Sequence, residues 1–104
     1  MPRIPVEIVR FVDEHYPGFV ECHLQDAHGH VHVFVEKVPI VTTESLRLNS
    51  SYPRPGAVEC TVEEEYHDHA GRPLVAVSTE LPWHVESSTG QTRFELLASQ
   101  VVGR

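Results

Sequence analysis

Four of the eight histidines crowd into one short stretch: His23, His28, His30 and His32. The segment His30-Val31-His32-Val33-Phe34-Val35-Glu36 sets two imidazoles and a carboxylate at even positions, and so on one face of a strand. Neutral imidazole and carboxylate suit zinc, iron or manganese. His30, His32 and Glu36 are therefore a candidate metal set, with His23 or His84 as a further ligand. The two thiols read differently. His23 follows Cys22 directly, and neighbours on a strand point to opposite faces, so His23 is badly placed to activate Cys22. Cys22 and Cys60 fit neither a Cys-x-x-Cys pair nor a zinc-ligand spacing, and read as small core residues. The chain has no Gly-x-Ser-x-Gly elbow, phosphate-binding glycine loop, dinucleotide fingerprint or His-Glu-x-x-His.

The elements that would carry these residues are strands. Residues 6–13 are dense in Val, Ile and Phe and predict a first strand, broken by Asp13 to Gly18. From Phe19 to Gln25, Val20, Cys22 and Leu24 alternate with Glu21, His23 and Gln25. Asp26-Ala27-His28-Gly29 supplies a turn, and His30 to Val38 alternates again. If Val31, Val33 and Val35 join the core, a tight turn at Ala27-His28 sets Leu24 opposite Val31, Cys22 opposite Val33 and His23 opposite His32. A slip of one residue would carry His32 inward, which burial opposes. On this register Phe34 lies among the histidines on the outer, polar face. It forms a candidate contact surface with Trp83, which follows a strand-ending Pro82 and could also plug one end of the fold.

Ile40 to Ser51 gives no clear element, and Tyr52-Pro53-Arg54-Pro55-Gly56 is a second breaker. A strand with Val58, Cys60 and Val62 inward follows. It turns within His67 to Pro73 and returns over Leu74 to Glu80. Ser87-Ser88-Thr89-Gly90 is a loop, and Thr92 to Val102 a last strand with Phe94, Leu96 and Ala98 inward. Tyr16-Pro17-Gly18-Phe19-Val20-Glu21-Cys22 is echoed by Tyr52-Pro53, then Gly56-Ala57-Val58-Glu59-Cys60. The echo predicts two similar hairpins. The whole predicts an all-β fold: a small, six-stranded, mostly antiparallel barrel or sandwich, in one domain spanning 1–104.

The spacing His30-x-His32-x-x-x-Glu36 resembles the first motif of the cupin family, small β-barrels that often bind a metal. The resemblance covers seven residues. Leu24 and Thr43 stand where that family carries flanking glycines, and its second motif is not recognisable here. It implies a divalent-metal site at His30, His32 and Glu36, with His23 in reach.

A formal charge of −7, from 8 Lys+Arg against 15 Asp+Glu, repels phosphate backbones and anionic membranes. Glu63-Glu64-Glu65 reads as a solvated strand edge. No apolar run approaches the ~20 residues of a membrane span. The first residues lack the pattern of a signal peptide, which predicts a cytoplasmic protein with reduced thiols. The reading these features favour is a non-catalytic interaction module without a cofactor, whose partner is another protein or a second copy of itself. The alternative is the cupin-like metal protein.

Overall fold

The computed structural model describes residues 1–104, and nearly all of its regular structure is strand. Seven strands form: β1 Arg3–Asp13, β2 Phe19–Gln25, β3 Val31–Lys37, β4 Arg54–Glu59, β5 Thr61–His67, β6 Pro73–Ser78 and β7 Arg93–Leu97. They make two antiparallel sheets, of order β3-β2-β1-β4 and β5-β6-β7. The all-β expectation holds, while the six expected strands are seven. The extra one arises at Cys60. The run expected as one strand through Val58, Cys60 and Val62 divides there: the Cys60 N–H continues the β1 ladder to the Pro2 carbonyl (3.0 Å), and the chain beyond it pairs with β6 instead. β4 stays with the first sheet and β5 enters the second.

One core cluster of 18 buried residues draws on both sheets. Val20, Cys22 and Leu24 point into it from β2, as their alternation predicts, and Phe94 and Leu96 do so from β7. The stretch left undefined between Ile40 and Ser51 follows a one-turn helix, α1 (Val38–Val41), and is otherwise irregular. The last strand ends early, at Leu97, in a 3₁₀ turn over Ala98–Gln100.

The echoed phrase does not open two hairpins. Its first copy enters β2 and its second enters β4, and these strands flank β1 on either side. What the two hairpins share is their turn. In the first, the Asp26 N–H donates to the His30 carbonyl (2.8 Å) and the Gly29 N–H to the Asp26 carbonyl (3.2 Å). Asp26 Oδ1 also accepts the His28 and His30 amides at 2.8 and 3.0 Å. In the second, Asp68 and Gly71 repeat every one of these bonds, with Ala70 and Arg72 as the amide donors. Ser87 and Gly90 make the pattern a third time, through Ser87 Oγ to the Thr89 and Gln91 amides. Gly29, Gly71 and Gly90 all hold φ near +80°, the left-handed conformation that glycine adopts without steric penalty. The repeated unit is thus Asp/Ser-x-x-Gly-x, a three-residue turn closed by a side-chain acceptor.

That turn overturns the expected register of β3. A turn longer by one residue pairs Leu24 with His32, Cys22 with Phe34 and His23 with Val33. Because side chains alternate, the single shift reverses every face of β3. Phe34 becomes a core residue at 1% exposure, while Val31 and Val35 stand out at 55% and 49%. Phe34 instead fills the space against Phe94 of the other sheet, and the inward His32 finds a partner in Asp26.

Gly56 sits in β4 itself rather than in a turn. A Cβ there would lie 2.8 and 2.9 Å from Ile8 Cδ1 and Cγ1 and 3.0 Å from the Val41 carbonyl oxygen. Gly56→Ala is expected to destabilise the fold by about 1–3 kcal/mol through overpacking. Urea unfolding checks this, since a midpoint equal to that of the wild type would mean the core gives way freely.

Candidate functional site

The histidine-bearing hairpin is where polar side chains concentrate, and Asp26 is its hub. Its carboxylate is nearly buried, at 8% exposure. Oδ1 closes the turn, and Oδ2 faces His32 Nε2 at 2.8 Å, with His30 Nδ1 farther off at 3.8 Å. Burial raises the pKa of Asp26, but the hydrogen bonds from His32 and from the His28 and His30 amides outweigh it, so the net shift is downward. The His32 ring in turn meets Phe94 edge-on, centroids 4.9 Å apart, and Phe94 packs on Phe34 at 5.6 Å. A polar hinge and an aromatic stack thus share one imidazole.

A second chain of contacts joins this hairpin to the other sheet. His28 Nε2 lies 3.1 Å from Glu95 Oε1, and the Tyr66 hydroxyl donates to Glu95 Oε2. The bond to Glu95 pushes the Tyr66 phenol up to about 12 and holds the Glu95 carboxyl low. Tyr66 is therefore neutral and a donor at any ordinary pH. Gln100 Nε2 adds a bond to the Gln25 carbonyl (2.8 Å). These contacts fasten the β2–β3 turn to β5, β7 and the 3₁₀ turn.

The candidate metal ligands do not come together. His23 points to the outer face, where its Nε2 sits 2.7 Å from Glu21 Oε2, and Arg10 donates to Glu21 Oε1 at 2.9 Å. His32 faces inward, so His23 and His32 occupy opposite faces of the sheet rather than facing one another. His30 is in solvent at 77% side-chain exposure, and Glu36 accepts the Lys37 amide. His84, far along the chain, is beside Glu86. No group of three or more His, Cys, Asp or Glu side chains has metal-holding geometry anywhere in the fold. The one-residue shift in β3 is the physical reason for the split between His23 and His32.

Comparison with protein-family models, with curated proteins and with solved structures returned no match. The geometry must speak for itself. The cysteines are inert: burial pushes Cys22 up to about 12, with Glu36 and Glu21 adding to it, and pushes Cys60 up to about 11. Neither forms a thiolate near neutral pH. Trp83 does not plug the fold but stands 55% exposed beside an exposed Leu81. Phe34, paired with Trp83 in the expected contact surface, is in the core. In its place β3 presents Val31, Val33 and Val35, a valine strip that strand alternation alone assigns to the interior. The missed signal is the Asp-x-x-Gly-x turn, whose glycine adds the residue that reverses the strand.

Proposed function

We propose that this chain is a non-catalytic protein-interaction module that receives a partner on the outer face of its four-stranded sheet. One observation carries the reading: Val31 and Val35 stand about half exposed on β3 with Val33 between them. Three aligned β-branched residues on a solvent face form an apolar strip that sheet stability does not need. Its neighbours on that face are polar, with Glu21 and His23 on β2 and Glu7 on β1. Glu21 is already met there by Arg10 and His23, and it is the formal charge of −7 on the whole chain that favours a partner of net positive charge.

A photo-crosslinking residue at position 35 is expected to capture one discrete protein, and the same group at Glu64 on the other sheet is not. The captured protein, once purified, is expected to bind the wild type directly and to lose at least about tenfold in affinity against V31K. Equal capture from both positions, or equal affinity for V31K, overturns the reading. Because Val31 is exposed, V31K leaves the fold intact, which circular dichroism verifies.

A further inference from the structure

Two sheets have four edge strands, and three of them are blocked. On β3, the Ser88 N–H donates to the Val33 carbonyl at 2.7 Å, and on β7 the Glu95 carbonyl accepts the Ala27 N–H at 2.9 Å. β5 carries Glu63, Glu64 and Glu65, all exposed, and an irregularity between Val62 and Glu64 interrupts its ladder. On β4 the protection is lighter: Pro55 has no N–H to offer an added strand, but Ala57 and Glu59 keep theirs. Arg3 exchanges both of its backbone bonds with Val102, each 2.9 Å, so it has none left for Glu59 opposite it in β4. Antiparallel alternation then assigns the β1–β4 bonds to Ile4–Val58, Val6–Gly56 and Ile8–Arg54. The prolines agree, since Pro5 and Pro55 have no N–H and both fall in the remaining pairs.

The backbone groups of Pro55, Ala57 and Glu59 consequently point away from β1, and no other backbone or side-chain group bonds to them. Beside them runs a groove of about 390 Å³, lined in part by Ile40, Thr42, Thr43 and Val102. An added strand would lie there.

We infer that the occupant is β4 of a second copy, pairing antiparallel about a two-fold axis through Ala57. The pattern is self-complementary. Ala57 faces Ala57 and exchanges two bonds, while each Glu59 N–H reaches the Pro55 carbonyl of the other chain. The donor that Pro55 lacks falls at the end of the pairing, where the Glu59 carbonyl it would have met remains in water. No like charges stand opposite one another, and the residue on the axis is small enough for close approach. The product is one continuous sheet in the order β3-β2-β1-β4-β4-β1-β2-β3. Its two-fold axis is perpendicular to the sheet, so both valine strips face the same side. The inference goes beyond the proposed partner site, which lies at the far edge, and would give that site bivalency.

Sedimentation equilibrium tests it, with a mass of twice the 11.7 kDa of one chain as the expected result. A57K puts two ammonium groups on the axis, and A57P removes the two axial donors without touching the β1 ladder. Both are expected to weaken dimerisation at least about tenfold while the circular dichroism stays unchanged. Amide exchange at Ala57 and Glu59 is expected to slow as concentration rises. V31K is expected to leave the dimer intact, which separates failure here from failure of the partner reading. A monomer at concentrations up to about 1 mM, or an A57K dimer as tight as the wild type, overturns the inference.

Discussion

Phe34→Ala is expected to destabilise the protein by about 3–5 kcal/mol, the largest effect of any single substitution considered for this chain. Phe34 is 1% exposed, its ring packs at a tilt on Phe94 with centroids 5.6 Å apart, and Phe94 in turn meets His32. Truncation removes the aromatic that justifies the register of β3 and leaves a void between the two sheets. A domain of this size is stable by only about 5–15 kcal/mol, so the loss takes a large share of the total. The drop in melting temperature is expected to be on the order of 15 °C or more. Differential scanning calorimetry checks it. A shift of only a degree or two would place Phe34 on the surface, and with it the whole opposite face of the strand. The comparison with V31K sharpens the result, because the same strand is then sensitive at even positions and indifferent at odd ones.

Asp26→Ala is the second. The side chain closes the first turn through two amides and meets the His32 ring with its other oxygen, and it does so almost entirely out of water. Losing a buried, charged acceptor is expected to destabilise by roughly 2–3 kcal/mol. Asp26→Asn retains an acceptor for the amides and is expected to lose less. The pH dependence follows from the downward shift of the Asp26 pKa. A carboxyl that holds its proton less tightly when folded stabilises the native state fully above its unfolded pKa of about 3.9. That contribution disappears as pH falls through the lower folded value. The wild type should therefore lose stability as pH falls below about 4, and D26A should show a shallower slope across the same window. Denaturant midpoints measured at several acidic pH values decide it, and identical slopes would mean that Asp26 is as well hydrated folded as unfolded. Asp68 occupies the same turn position on the second hairpin but is more exposed than Asp26, at 21% against 8% of its side chain, so Asp68→Ala is expected to have the smaller effect.

Much of the scaffold was legible from local chemistry. The alternation of Val20, Cys22 and Leu24 with Glu21, His23 and Gln25 gave the faces of β2, because the period of two is a property of the backbone. The places of the turns after Gln25, within His67 to Pro73 and at Ser87 to Gly90 were legible too, though not the three-residue form that Asp-x-x-Gly-x and Ser-x-x-Gly-x give them. Burial of both cysteines followed from the same alternation.

The candidate site was far less legible, and β3 shows why. His30 to Glu36 offers one face with three valines and one with Phe34 among polar residues, and the strand's own pattern favours burying the valines. The choice fell to the length of a turn, to the volume available beside Phe94 and to the partner that Asp26 offers His32. Together these turned His32 inward, split it from His23 and moved the exposed apolar surface onto the valines. The division of one expected strand at Cys60 is likewise tertiary, since residues up to Cys60 pair with β1 and its N-terminal neighbour Pro2 while those from Thr61 pair with β6. The open edge of β4 depends on Arg3 pairing with Val102, residues 99 positions apart. Local chemistry therefore determined the strands and turns of this protein, because those energies act between near neighbours. Only the tertiary structure decided which faces and edges meet water, because that depends on what packs against them.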